Sequence, residues 1–434
     1  MKNEINKLAL GLQDEMVKLR RDFHQHAESA WTEYRTASIV AKHLEDLGLE
    51  VLYGTDVIEA SAMMDVPPAT ELSKHMERAK AQGAHSKYLA KMEGGKTGVV
   101  GILKTGRPGP VVALRFDMDA NEMDETTLDT HRPNKEGFAS VNPGAMHACG
   151  HDGHTAVGMG VAKLLTQIKD QLTGTIKICF QPAEEGVRGA LSMVQKGLFD
   201  DVDYVLAAHL GIGVGTGAVC CSWKGLLATS KLDAVYTGVP AHAGARPEDG
   251  KSALLAAAGA AMSMQGIYRH SAGNSRINIG LLQAGTGRNV VPANALMKLE
   301  TRGVTSEIDE FVKSEAIRML NASAKMYDVQ VEIKEMGGAK AAESDPELVD
   351  LAIETAKELG IFEKIIHDAD MPGSEDYSFM MERVQSRGGK ALFMLVGTDC
   401  ASGPHTNTYD IDETSFSHAV ALFSMLICNL GRKK

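Results

Sequence analysis

The chain has 434 residues, of which 44% are apolar, and a formal net charge of −11. That length favours two domains, or one large domain carrying an insertion, and the apolar share suffices for real cores. The acidic balance argues against a polyanion such as nucleic acid as partner, which relies on a basic face, so any acidic ligand must be met by a few placed arginines.

The opening MKNEINKLALGLQDEMVKLRR mixes acids with bases and lacks an apolar core followed by a small-residue cleavage site, so it reads as a helix of the mature protein. The longest small-apolar run, ALLAAAGAAMSM from Ala253, is twelve residues, against the roughly 20 that span a bilayer. The expectation is a cytoplasmic protein with no membrane partner. Apolar periodicity predicts helices near 3–20, 34–47, 70–92, 153–168, 251–269, 305–326, 345–359 and 411–430. Between them GVVGILK, VVALRF, GTIKICFQ, DYVLAAHL and ALFMLVG are continuous apolar strands, the pattern of a sheet covered by helices on both faces.

From about Trp223 to Met336 the pattern changes to β-α-β-β-α-β, a complete ferredoxin-like unit inserted in the larger α/β domain. The expected division is 1–222 with 337–434 for the larger domain and 223–336 for the insertion. The Gly/Ala/Ser-rich stretches 211–219 and 337–344 read as its linkers.

HACGHDGH (Cys149, His151) crowds three histidines and a cysteine into eight residues, and four further clusters fall at predicted strand ends or in the loops beyond them, where ligands of open α/β sheets bind. They are ALRFDMDA (Asp117, Asp119), QPAEEG (Glu184, Glu185), AAHLG (His209) and GPHTN (His405). Adjacent strands would bring residues 149, 151, 185, 209 and 405 together. A thiolate, imidazoles and a carboxylate suit Zn²⁺ and are compatible with Mn²⁺, Co²⁺ or Ni²⁺. Five ligands exceed one tetrahedral ion, which favours two metals sharing a bridging ligand. In the turn after Pro182 one glutamate can bind metal while the other stands free as a general base. A nucleophilic Cys149 with a neighbouring histidine as base is the alternative, but it leaves Glu185, His209 and His405 without a task. His147 and His154 are left uncommitted, as hydrogen-bonding or helix-start residues, whereas His24, His26, His43, His75 and His85 read as solvated. The six cysteines include no CxxC pair and do not form a disulfide framework.

The ordered motifs RRDFHQHAES, LRFDMDA, HACGHDGH, FQPAEEG, AHAGARPEDG, GRNVVPA and a late GPH resemble the M20 metallopeptidase and amidohydrolase family, in the branch of aminoacylases, hippurate hydrolases and auxin-conjugate hydrolases. The resemblance implies a phosphorylase/hydrolase-like catalytic domain with an inserted lid and dimerisation domain. It also implies two divalent ions bridged by Cys149 and completed by His151, Glu185, His209 and His405. Glu184 becomes the general base, Asp119 orients a ligand, and Asp117 is not counted as one. His242 of the insertion stabilises the oxyanion, often in the partner subunit's site, and Asn289, Arg302 and Ser374 are candidate substrate contacts; Arg288 is left open. The alanine of HQHAES, the helical segment around 60–95 and HRPNKEGFAS point, within that branch, to members that hydrolyse p-aminobenzoyl-glutamate. The implied substrate is thus a small N-acyl amino acid, and the implied assembly a homodimer or a heteromer with a homologous B subunit.

Overall fold

The computed structural model describes residues 1–432, which divide into two compact units. The first comprises Met1–Lys224, Glu343–Met371 and Phe379–Lys434, and the second Gly225–Ala342 with Pro372–Ser378.

The first unit is built on an eight-stranded mixed sheet. Its order is Glu50–Tyr53, Val99–Lys104, Thr175–Gln181, Val111–Asp117, Tyr204–Leu210, Lys390–Val396, Ala218–Cys220 and Lys364–Ile366. The four central strands, from Thr175–Gln181 to Lys390–Val396, run parallel. Val111–Asp117, Tyr204–Leu210 and Lys390–Val396 are buried at every residue after the first. Continuous burial, where a one-sided sheet would alternate, means that both faces are covered, as their unbroken apolar sequences require. The strand Ala218–Cys220 lies partly within the Gly-rich stretch read from sequence as a linker.

The helix His151–Gln167 is enclosed almost all round. Gly150, with φ of 87°, caps it in the left-handed region that glycine adopts freely. At Gly158 a Cβ would stand 2.7 Å from the Phe116 ring, so this glycine lets the helix close onto the central strand. Two predicted helices prove to be pairs. The first splits into Lys2–Gly11 and Gln13–Gln25, and the 70–92 segment into Ala69–Ala81 and Ser86–Met92, with Gly83 at φ 96° between them. The C-terminal helix starts at Phe416 instead of 411, because Ile411 pairs with Cys400 in an isolated bridge.

The second unit is a four-stranded antiparallel sheet in the order Gln330–Ala339, Ala228–Thr237, Asn294–Gly303, Ser275–Ala284. This is the ferredoxin-like arrangement expected from the sequence. Ala295, Met297, Leu299 and Thr301 are buried, alternating with more exposed neighbours. This inward face packs with the helices Ala253–Met264 and Ser306–Met326 around a core of their own. Ser252 and Thr305 cap these helices by accepting the amides of Leu255 and Ile308.

Candidate metal centre

Cys149, His151, Glu185, His209 and His405 lie far apart in sequence and meet at the ends of the parallel strands of the first unit. Cys149, His151 and His209 offer ligand atoms within 4.8 Å of one another, and so do Cys149, Glu185 and His405. Cys149 is therefore common to two triads. Its Sγ lies 3.4 Å from His209 Nε2. The loop carrying His405 is tied to the same place by its own backbone, the His405 amide donating to the Ala148 carbonyl at 2.8 Å.

The histidine tautomers follow from their partners. His151 Nδ1 donates to the Asp119 carbonyl at 3.0 Å, and His209 Nδ1 to the Leu210 carbonyl at 2.8 Å. Each ring thus turns a bare Nε2 lone pair inward, the arrangement by which a backbone carbonyl orients a metal-binding imidazole. Burial, then His154 and His151 beside it, holds His209 well below the usual histidine range. Cys149 and Glu185 hold His405 up at about 10. Glu185 Oε1 is buried with no hydrogen-bond partner, 3.5 Å from His405 Nε2. A thiol, three imidazoles and a carboxylate whose oxygen lacks a protein donor form a set that fits a divalent cation.

The Glu184–Glu185 turn is held from below. Asp119 Oδ1 accepts the Glu184 amide at 2.9 Å and Oδ2 the Glu185 amide at 2.8 Å. Ala183 has φ of 54°, and its amide donates to Glu33 Oε1 at 2.8 Å. Thr97 supplies a hydroxyl to the other Glu33 oxygen at 2.6 Å. Glu184 is 9% exposed, and its Oε2 lies 4.0 Å from His151 Nε2. It shares a cluster with His151 and Glu185.

The uncommitted residues separate clearly. His154 donates from Nδ1 to Asp117 Oδ1 at 2.5 Å, and its Nε2 accepts the Leu210 amide at 2.9 Å, so it braces one strand end against another. Asp117 is also paired to Arg115 at 2.6 Å. His147 is buried with neither ring nitrogen bonded, and burial pushes it down to about 3. His24, read as solvated, is fully buried: its Nδ1 meets Asp152 Oδ2 at 2.7 Å and its Nε2 meets Glu125 Oε1 at 3.0 Å. Arg20, also fully buried, reaches Asp152 at 2.7 Å, Asp410 at 2.8 Å and Glu413 at 3.3 Å. This joins the helix that begins at His151 to the segment following His405. His43, also read as solvated, is partly buried against the Met159 carbonyl.

In the second unit His242 is exposed, and its Nδ1 accepts the amides of Gly244 and Ala245 at 3.2 and 3.1 Å. Asn289 is beside it, its carbonyl accepting the Ala243 amide at 3.0 Å. Arg302 donates to both oxygens of Glu300, at 3.1 and 3.2 Å, and to Ser374 Oγ at 3.3 Å. Arg288 is exposed. Sequence reasoning missed Glu33, Arg20 and Asp152. The available signal was position alone: Arg20 opens RRDFHQHAES, Glu33 follows it by a few residues, and Asp152 lies within HACGHDGH.

Residues 113–429 match the family described as peptidase family M20/M25/M40. The chain belongs to this family. Two curated relatives align with 98% of this chain and 98% of their own length. One is the indole-3-acetyl-aspartic acid hydrolase of Enterobacter agglomerans, 48% identical. The other is the A subunit of the p-aminobenzoyl-glutamate hydrolase of Escherichia coli K12, 46% identical. Among solved structures, the aminobenzoyl-glutamate utilization protein of Klebsiella pneumoniae is 43% identical and superposes with a TM-score of 0.86 over 98% of both chains. As an M20 protein with this donor cluster, the chain is a metal-dependent amide hydrolase acting on small molecules. No helix among the described residues is long and apolar enough to cross a membrane.

Proposed function

We propose that this chain hydrolyses the amide bond of an N-acyl acidic amino acid, with p-aminobenzoyl-glutamate as leading substrate and p-aminobenzoate and glutamate as products. The observation that carries the reading is the shared Cys149. Two triads with one thiol in common suit two divalent cations, with His151 and His209 on one side and Glu185 and His405 on the other. Manganese or zinc fits these donors best, and cobalt or nickel is compatible. Such ions, when bound, polarise a carbonyl and make water more acidic.

The remaining work falls to side chains. Glu184 is the one carboxylate of the pair left outside the two triads. It takes a proton from the attacking water and returns it to the departing nitrogen, which is the glutamate α-amino group. Asp119 keeps Glu184 and Glu185 in place by holding both amides. His242 donates to the developing oxyanion, and Arg302, Asn289 and Ser374 receive the substrate carboxylate. The inserted unit, residues 223–336 in the sequence reading, then acts as lid and dimerisation module. The assembly is a homodimer or a heteromer with a homologous B subunit, a partner type suggested by the name of the E. coli relative.

The test is Glu184→Gln. It should retain its metal by elemental analysis and lose about 10²–10⁴-fold in kcat; near-normal turnover would refute the base. The name of the E. agglomerans relative makes indole-3-acetyl-aspartate the rival substrate. Comparing kcat/KM for both compounds and for hippurate decides between them, and equal rates on all three would point to a broad N-acyl-amino-acid hydrolase.

A further inference from the structure

The two halves of the proposed metal centre are built unequally. Cys149, His151 and His209 are buried, whereas the His405 side chain is 59% exposed. His405 also has φ of 60°, a left-handed conformation that a residue with a side chain keeps only where its surroundings impose it. Residues 401–407 are largely exposed, so the restraint has to come from neighbouring segments.

Segment 125–140 of the same unit, which contains HRPNKEGFAS, supplies it. The Thr126 amide donates to the Asn407 carbonyl at 3.0 Å. Arg132 grips the chain just beyond: its Nε and Nη2 donate to the two oxygens of Asp410 at 2.5 and 2.8 Å, and Nη2 also to the Ile411 carbonyl at 2.6 Å. A bidentate pair of this kind fixes orientation as well as distance. The segment is itself anchored through Glu125, which meets His24 Nε2 at 3.0 Å and His131 Nε2 at 2.8 Å and accepts the Ser140 amide at 2.6 Å. The Phe138 ring lies against the guanidinium groups of Arg20, Arg21 and Arg132, with centroid distances of 5.3, 4.7 and 5.7 Å, within the range of cation–π attraction.

We propose that Arg132 is a positioning residue for the exposed half of the metal centre. By holding Asp410 and Ile411 it presents His405 to Cys149 and Glu185, and so sets the affinity of one ion and not of the other. The inference rests on the two-ion reading above. His151 and His209, the imidazoles of the buried half, are oriented instead by the backbone carbonyls of Asp119 and Leu210. Arg20 cannot make this distinction, because it holds Asp410 and also Asp152, the neighbour of His151.

The experiment strips the full chain of metal with a chelator, titrates it with Mn²⁺ by calorimetry and counts the retained ions by elemental analysis. Wild type should bind two ions. Arg132→Ala should weaken one of them by about 10–100-fold, the usual effect of losing a group that orients a ligand, and leave the other unchanged. Arg132→Lys, which keeps the charge but not the fork, should recover part of the loss. Adding Arg132→Ala to His405→Ala should weaken the remaining ion no further, because both changes act on one site. Should Arg132→Ala not fold, Phe138→Leu loosens the same segment and should show the same one-sided loss. A general loss of stability would instead shift both ions together. Two ions weakened alike, neither weakened, or a further loss in the double variant overturns the role of Arg132 and leaves the two-ion site standing. A wild type that binds fewer than two ions overturns the two-ion reading, and this proposal with it.

Discussion

Both oxygens of the Asp119 carboxylate are engaged by backbone, one on each amide of the Glu184–Glu185 pair, while its own carbonyl fixes the His151 ring. One residue thus sets the direction of the proposed base and of two proposed ligands without being a ligand itself. An asparagine can accept one of those amides but turns an NH₂ group toward the other. Asp119→Asn should therefore lower kcat by about 10–100-fold, the usual cost of losing a group that orients a metal ligand. Steady-state kinetics on protein of known metal content checks this; an unaltered kcat would show that the turn holds its shape unaided. His24 shows why single residues mislead in a sequence. Nothing in RRDFHQHAES distinguishes a solvated imidazole from one held between Asp152 and Glu125, whose positions lie more than a hundred residues away.

At the scale of elements, the turn Ala183–Glu185 depends on a buried carboxyl from the segment just before the helix Tyr34–Asp46. Burial, with the Asp119 charge beside it, pushes Glu33 from 4.5 up to about 8. A folded-state value above the unfolded one means that folding favours the protonated form. The associated stability is fully present below about pH 4.5 and is lost as pH rises through about 8. Glu33→Gln keeps a neutral side chain at every pH, and the Thr97 hydroxyl can reverse its hydrogen bond to suit. The variant should lose less stability than wild type between about pH 4.5 and 8, as read by urea midpoints across that range; parallel profiles would rule Glu33 out as the titrating group. The same scale explains the misplaced helix ends. Periodicity continues through Leu12 and Gly83, but the chain breaks there to redirect two helices, and Ile411 is claimed by a bridge to Cys400.

For the whole molecule, the donor cluster links metal to stability. The proposed ligands come from separate segments of the first unit, so the full set exists only in the folded chain. A ligand that binds the folded state alone stabilises by about 2.7 kcal/mol at a hundredfold excess over Kd. Chelator-treated protein should melt at a lower temperature by calorimetry and regain its midpoint when manganese or zinc is restored. Identical midpoints would remove these residues as a metal site.

Sequence by itself determined what depends on neighbours along the chain. Unbroken apolar strands marked a sheet buried on both faces, alternating ones marked the ferredoxin-like unit, and thiol, imidazole and carboxylate types at strand ends marked the metal chemistry. Tertiary structure decided what depends on strand order and register. It brought Glu185 and His405 to Cys149, divided the donors into two triads about that one sulfur, buried His24 and Glu33 beneath the motifs, and set Arg132 against Asp410. Periodicity is local and survives in one dimension, whereas a pairing register joins distant segments through the packing of the whole domain, and no short stretch of sequence contains it.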